Sequence, residues 1–597
     1  MEIESNSNHF KLWSELELHE FQDKLVIKAV DSPDQGFSIS RLDGNIDELP
    51  GDTCTGNPSK VSTIYGVAGT IRLLTGTYIL AVTSRREVGT YLGFPIYQVM
   101  SMKFLSCGQS SRPLTSEEKR DESYYLNLLK TVESTPGLYY SYETDITVNL
   151  QRRFKLAHGW MNKPIWKQAD PQFVWNRYII EELIENKLDG FIIPLLQGNI
   201  LNNFIFVFQT GKLKLKRLPA TVILISRRST RRLGTRMWRR GANLQGDAAN
   251  FIETEQFMEF DGFISSFLQV RGSIPLLWEQ IVDLSYKPRL NIISHEETAK
   301  VVERHFHDLL QRYGETVAVD LTDKHGDEGE LSMAYAAEME KLTNVRYVSF
   351  DFHQKCGNGN FDNIQLLYDE ISEDFEKQGR YFLLGSDGEI LAEQKGVIRS
   401  NCIDCLDRTN VTQSFLARKS LNIQLQRVGA FSSIDCISMF GEDFETFKTL
   451  WVEQGDEISL EYAGTHALKR DLVRFGKQTM AGLIKDGLSA LSRYYYNNFQ
   501  DGVRQDAIDL ISGHYTVKYG PPPPVPNRNE ALSYLPVASA LLIGGLTVTS
   551  ITLNRAGQNA QSFVSSLLCA SATAGVMALV KSNGRQICSR PRLCGLL

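Results

Sequence analysis

The sequence predicts an α/β fold, with an α+β, sheet-rich amino-terminal part, a larger part organised around a strand, a tight loop and a helix, and two apolar helices near the carboxyl end. Three observations carry this prediction. Across residues 61–97, short apolar and β-branched runs alternate with glycine turns at spacings that suit antiparallel strands. Residues 396–421 read GVIRSNCIDCLDRTNVTQSFLARKSL, an apolar run, a polar curl and a helix-forming segment. Beyond a proline run at 521–526 come two uncharged stretches, 532–553 and 563–580, the first long enough to cross a bilayer core.

At 597 residues the chain exceeds what one compact core holds, so several units are expected: 1–190, 191–520, a linker at 521–530, paired spans within 531–580, and a basic tail at 581–597. A content of 42% hydrophobic and 22% charged residues excludes wholesale disorder, and a net charge of -6 gives no global attraction for nucleic acid. The nine cysteines are sparse and irregular, which reads as a reducing compartment with free thiols. The amino terminus, MEIESNSNHFKLW, has two glutamates and no apolar run, so it is no secretory signal, and the bulk of the chain is expected in the cytosol.

Taken in order, residues 116–131 have an acidic start and Tyr and Leu at helical spacing, which predicts a helix. Residues 191–208 and 221–226 read as buried strands. From Phe191 to Gly246 no acidic residue occurs, while Lys212, Lys214, Lys216, Arg217, Arg227, Arg228, Arg231, Arg232, Arg236, Arg239 and Arg240 accumulate. A solvated face is the plain explanation of such a run; an anionic membrane surface or a polyphosphorylated substrate is favoured over it, and nucleic acid is disfavoured. The two uncharged stretches are rich in Gly, Ala, Ser and Thr, which suits close helix packing in lipid. Two buried core helices are the alternative, but the polyproline spacer before them favours a membrane hairpin. Lys581, Arg585, Arg590 and Arg592 place the tail on the cytosolic side.

The chemistry concentrates at the loop. Five residues separate Cys402 from Arg408, so a curl between them can aim backbone N–H groups at one point and set a guanidinium beside it. Those donors and the following helix N-terminus favour a phosphate dianion. The same field lowers the proton affinity of a thiol, making Cys402 a nucleophile able to form a phosphocysteine. Thr409 is placed to donate to the thiolate, and Asp404 or Asp407 to protonate the leaving oxygen, with Asp404 favoured. Loop residues Asn401, Ile403, Cys405 and Leu406 are the expected phosphate contacts. The Cys402–Cys405 pair also has the spacing of a redox site or half a zinc site; no second ligand pair accompanies it, and neither reading explains Arg408.

RSNCIDCLDRTN, residues 399–410, resembles the signature of the Sac family of phosphoinositide phosphatases at every fixed position. Residues 226–256, 271–280, 350–356 and 462–509 look like further blocks of that family, and the likeness spans about 60–520, with the tail hairpin matching the integral-membrane branch. The resemblance implies an amino-terminal Sac subdomain before a cysteine-phosphatase core, and hydrolysis of phosphatidylinositol 4-phosphate, with the 3-phosphate as a further substrate. It implies no metal or other cofactor, and an endoplasmic reticulum or Golgi membrane. The ending CSRPRLCGLL and the proline linker suggest a plant-like member. The resemblance also implies that arginines of the basic run, Arg236 and Arg240 among them, hold the anionic headgroup or face the membrane, with packing as the alternative for each; within the family blocks Asn243, Asp247, His353 and Lys355 are placed either near the site or in structural roles. The alternative from another class is a non-catalytic phosphoinositide-binding adaptor at the membrane; a protein phosphatase would share the chemistry but not the substrate.

Overall fold

The computed structural model describes residues 10, 12–49, 57–108, 113–157, 159–207, 219–357, 361–518 and, with gaps, 570–594. An antiparallel five-stranded sheet is formed at the amino terminus, in the order Ile46–Glu48, Gly36–Ser40, Lys24–Ala29, Leu16–Glu20 and Lys60–Ile64. A second, 13-stranded sheet runs through the rest. The expected antiparallel strands are there as Val67–Leu73, Gly76–Tyr91 and Phe94–Ser106, and the expected helix is Ser116–Glu133, opened by a capping box between Thr115 and Glu118.

The boundary expected at residue 190 does not divide the sheet. Strand Leu196–Val207 pairs Leu196 with Tyr139 on one side and continues through Pro219–Arg228 and Ile252–Phe260 to Phe263–Arg271 on the other. One ladder therefore carries both parts.

Beyond Phe263–Arg271 the sheet changes character. Gly396–Asn401, Glu315–Asp320 and Val345–Ser349 are added in parallel, and parallel strands need covering on both faces. Gly396–Asn401 is buried at all six positions. Alternation sends Val317 and Val319 into one core, with Ile398, Ile371, Phe375, Leu416 and Leu421, and sends Ala318 and Val397 into the other, with Phe306, Leu309, Leu331 and Tyr335. The helices on the two faces are thus Ile364–Lys377 and Asp407–Arg427 on one, Thr298–Tyr313 and Gly326–Met339 on the other. Two of the parallel strands, Glu315–Asp320 and Gly396–Asn401, end side by side at Asp320 and Asn401, and such carboxyl ends are where open α/β sheets bind ligands.

No described helix is long and apolar enough to cross a membrane. Residues 532–553, most of 563–580 and the proline linker lie outside the described residues. The basic tail is partly described: Ser589 N donates to Asn498 O at 2.6 Å, and the amides of Arg592 and Leu593 donate to the Asp506 carboxylate, so this segment lies on helix Asp501–Ile511.

Candidate active site

Strand Gly396–Asn401 is anchored by a buried brace. Arg399 donates to Asn401 Oδ1 and Asn401 donates to Asp320 Oδ1, each at 2.6 Å, and Asp320 also accepts from Thr322 and Ser332. Asn401 is fully buried, so it supports the loop from beneath and is not open to a headgroup.

The chain then curls. Cys405 takes a left-handed φ of 54°, a conformation that costs a non-glycine residue about 1–2 kcal/mol and must be held by its surroundings. They hold it. The Cys405 sulfur donates to Gly272 O at 2.8 Å, and Leu406 inserts among Ile252, Ile458, Tyr462 and Ala463. With these side chains turned inward, the loop offers its main chain: among the described residues no amide from Ile403 to Arg408 donates to a protein acceptor. Helix Asp407–Arg427 also starts without a side-chain cap, leaving its first N–H groups open.

Cys402 is buried and faces this opening. Burial alone would raise its thiol; hydrogen bonding with Cys405 and Thr409 and the charge of Arg408 outweigh that and hold it well below the ordinary cysteine value. Thr409 Oγ1 lies 3.4 Å from the sulfur. Cys405, by contrast, is pushed well up by burial and by the neighbouring Cys402, so only one of the two sulfurs is poised as a thiolate. Cys402 and Cys405 both carry free thiols.

Arg408 is fixed from a different unit. Its Nη1 donates to Leu321 O and Asp323 Oδ1, both at 3.1 Å, and its Nη2 lies 2.6 Å from Glu328 Oε1. Asp323 in turn meets His353 Nδ1 at 2.6 Å, and His353 Nε2 is 3.2 Å from Lys469 Nζ. His353 therefore reaches the site through Asp323. Asn243 and Asp247 bond each other at 3.1 Å, and Lys355 lies over the Phe350 ring. Glu328 was not foreseen from sequence. Burial raises its carboxyl to about 7, with Arg408 pulling the other way. Arg271, also unforeseen in this role, lies buried below the loop, bonded to Gln413 and Asn410 and lowered to about 10 by burial, its charge directed at Cys405 and Cys402.

The two loop aspartates differ. Asp404 lies between two guanidiniums, Arg236 Nη2 at 2.9 Å and Arg240 Nη1 at 2.7 Å. Despite burial, that pairing keeps its carboxyl far below the usual range, and a carboxylate so held has no proton to give at neutral pH. Asp407 accepts from Leu468 N at 2.9 Å, and burial lifts it to about 6. Arg236 and Arg240, expected against the headgroup, are engaged with Asp404; Arg240 also donates to Ile403 O.

Most of the rest of the basic run folds inward too, while Arg231 stays exposed beside Asp247 and Asp308. Arg227 is fully buried against Glu253 and Glu255, Arg239 meets Asp509, and Arg228 donates to Gly234 O. These arginines form a paired interior, not an exposed anion-binding patch. Residues 212–217 lie outside the described residues.

The profile of the SacI homology domain matches residues 65–357. Over its full length the chain is 64% identical to the phosphoinositide phosphatase SAC8 of Arabidopsis thaliana, covering 100% of both. It is 45% identical to SAC7 of the same plant across 99% of each chain, and 33% identical to the phosphatidylinositol-3-phosphatase SAC1-A of Danio rerio across 96% of this chain and 97% of that one. The chain belongs to the Sac-domain family of phosphoinositide phosphatases. In this Sac protein residues 399–410 take in the end of strand Gly396–Asn401, the loop after it and the first turn of helix Asp407–Arg427.

Proposed function

We propose that this protein removes a phosphate monoester from an inositol lipid, chiefly phosphatidylinositol 4-phosphate and also the 3-phosphate, by way of a phosphocysteine at Cys402. The observation that carries the reading is the lowered thiol of Cys402, 3.4 Å from Thr409 Oγ1 and under the charge of Arg408, in a curl whose amides are free. The relatives named phosphoinositide phosphatase and phosphatidylinositol-3-phosphatase support the substrate class.

In the first step the thiolate attacks phosphorus opposite the ester oxygen. The S–P bond forms as the P–O bond to the inositol ring breaks, and the loop amides with Arg408 neutralise the equatorial oxygens without calling on a metal. We assign the proton for the departing alkoxide to Asp407, the loop carboxyl raised to about 6, in place of Asp404, which its two arginines keep ionised. In the second step Asp407, now a carboxylate, takes a proton from water as water attacks phosphorus. The sulfur leaves as a thiolate stabilised by Thr409.

We further propose that residues 532–553 and 563–580 anchor the enzyme in an endoplasmic reticulum or Golgi membrane, with the catalytic part and tail in the cytosol. Anionic lipid is then both surroundings and substrate.

Phosphate release by the purified chain from a panel of singly and doubly phosphorylated inositol lipids, in the presence of a chelator, tests the proposal. Release from the 4-phosphate should exceed the others and vanish in Cys402→Ser. Equal release by wild type and Cys402→Ser would reject the nucleophile, and release from a phosphotyrosine peptide alone would reject the substrate.

A further inference from the structure

Helix Met480–Phe499 has two unlike faces. Its inner face buries Gly482, Arg493, Asn497 and Asn498. Arg493 donates to Ser459 Oγ at 2.9 Å and Thr465 Oγ1 at 3.2 Å, and its charge reaches Asp407 and Asp404. The outer face repeats Met480, Ile484, Leu488 and Leu491 at steps of four and three, a single helical stripe, with Leu483 beside it. These side chains are 54% to 75% exposed, and Phe475, ending the preceding helix Arg470–Phe475, is 50% exposed. A lone exposed leucine needs no account; five large apolar residues along one helical face do.

Charge on this face is one-signed. Arg474, Lys477 and Lys485 are exposed around the stripe. The two acids of the segment are occupied: Asp471 accepts from Thr479, and Asp486 accepts from the Lys469 amide and from Gln478 Nε2. The segment that carries this face also adjoins the site. Leu468, just ahead of these helices, donates its amide to Asp407, and Lys469 meets His353.

We propose that the outer face of helix Met480–Phe499, with Phe475, is the surface on which the catalytic unit docks into an anionic bilayer. The occupant is a lipid leaflet because the pattern matches its chemistry in depth: an apolar stripe for the acyl boundary, flanked by cations for the headgroup layer. This rests on the lipid-phosphatase reading and deepens it. A lipid whose phosphate enters the Cys402 loop must leave its acyl chains in the membrane, and the segment that carries this face adjoins the loop through Leu468.

The experiment has two arms, both on the full chain. In the first, p-benzoylphenylalanine replaces Leu488, and the protein is irradiated with vesicles of phosphatidylcholine and phosphatidylserine. The same residue in place of Leu42, exposed in the turn after strand Gly36–Ser40, is the control. Lipid adducts at 488 and not at 42 support the proposal. An adduct to a second copy, an adduct to another segment of the same chain, or no lipid adduct overturns it. In the second arm Leu483, Ile484 and Leu488 are all changed to Ser. Turnover of long-chain phosphatidylinositol 4-phosphate in those vesicles should fall about 10-fold, while turnover of dispersed dioctanoyl substrate stays within about 2-fold. Equal loss on both substrates overturns the docking role. If wild type hydrolyses neither, the proposed function fails, and the crosslink still decides the docking surface.

Discussion

Glu328 Oε1 lies 2.6 Å from Arg408 Nη2, so the arginine at the end of the signature is held by a carboxyl that follows a different strand. Burial brings that carboxyl to about 7. Below this pH it is neutral beside Arg408; above it, its charge opposes an incoming phosphate dianion. KM for the lipid should therefore rise between pH 6 and 8. Glu328→Gln should flatten that rise and give a KM about 5-fold below wild type at pH 8. Steady-state kinetics on dispersed substrate measure it, and a wild-type KM level across the range would remove Glu328 from the site.

Thr409 supplies a hydroxyl to the Cys402 sulfur at 3.4 Å. Removing one hydrogen bond to a thiolate should raise its pKa by about 1 unit. In Thr409→Ala the pH midpoint for alkylation of Cys402 by iodoacetamide should move up by that amount, while Thr409→Ser holds it. An unmoved midpoint in the alanine variant would mean that the hydroxyl does not stabilise the thiolate.

Asp404 and Asp407 should part company on substitution. Asp404→Asn leaves Arg236 and Arg240 facing each other without their shared acid, and should cost about 2–3 kcal/mol in a denaturant melt. Asp407→Asn removes no ion pair and should melt no lower than wild type, yet kcat should fall at least about 100-fold. The pH profile adds a sign. An acid with a pKa of about 6 must carry its proton to act, so wild-type activity declines as pH rises through 6, and that limb should be missing in Asp407→Asn. A melt lowered in Asp407→Asn and not in Asp404→Asn would reverse the assignment.

What could be read from sequence was what lies close in the chain. Cys402, Arg408 and Thr409 fall within one strand–loop–helix unit, and it is their spacing within that context that points to a phosphate loop. Asp323 and Glu328 are joined to that loop only because strands Glu315–Asp320 and Gly396–Asn401 run in parallel, and no local pattern announces such pairing. The arginine run misled for a related reason. An acid-free window looks like a charged surface when counted along the chain, but Arg227 finds Glu253, Arg240 finds Asp404, and Arg239 finds Asp509 far downstream. Which aspartate holds a proton likewise depends on these distant arginines.

Glu461 offers a test of stability. It is 3% exposed, and neither carboxylate oxygen has a hydrogen-bond partner among the described residues; burial lifts it to about 8. Because its folded value exceeds the unfolded one of about 4.3, the folded state binds the extra proton, and stability drains away as pH rises from there to about 8. Glu461→Gln should thus match wild type near pH 4.5 and exceed it by on the order of 4–5 kcal/mol at pH 8. Melting both proteins across that range checks the slope, and a gap independent of pH would show that the carboxyl is solvated or paired.

The tail can be tested by a reversal of sign. Gly502 lies at the start of helix Asp501–Ile511, and a Cβ there would come within 2.5 Å of Arg590 N and 2.6 Å of the Ser589 carbonyl carbon. Replacing a helical glycine with alanine ordinarily stabilises by about 0.5–1 kcal/mol. With residues 588–593 seated, the methyl has no room, and Gly502→Ala should destabilise by about 1–2 kcal/mol. In a chain truncated after residue 583 the obstruction is gone, and the same substitution should stabilise. The cycle of four melts isolates the coupling, since each single change is referred to its own background. The truncation itself should lower the melting temperature, because Cys588 packs with Met237, Trp238 and Val282, within the segment that carries Arg236 and Arg240 to Asp404. Alanine stabilising in both backgrounds would mean that the tail does not rest on Gly502 in solution.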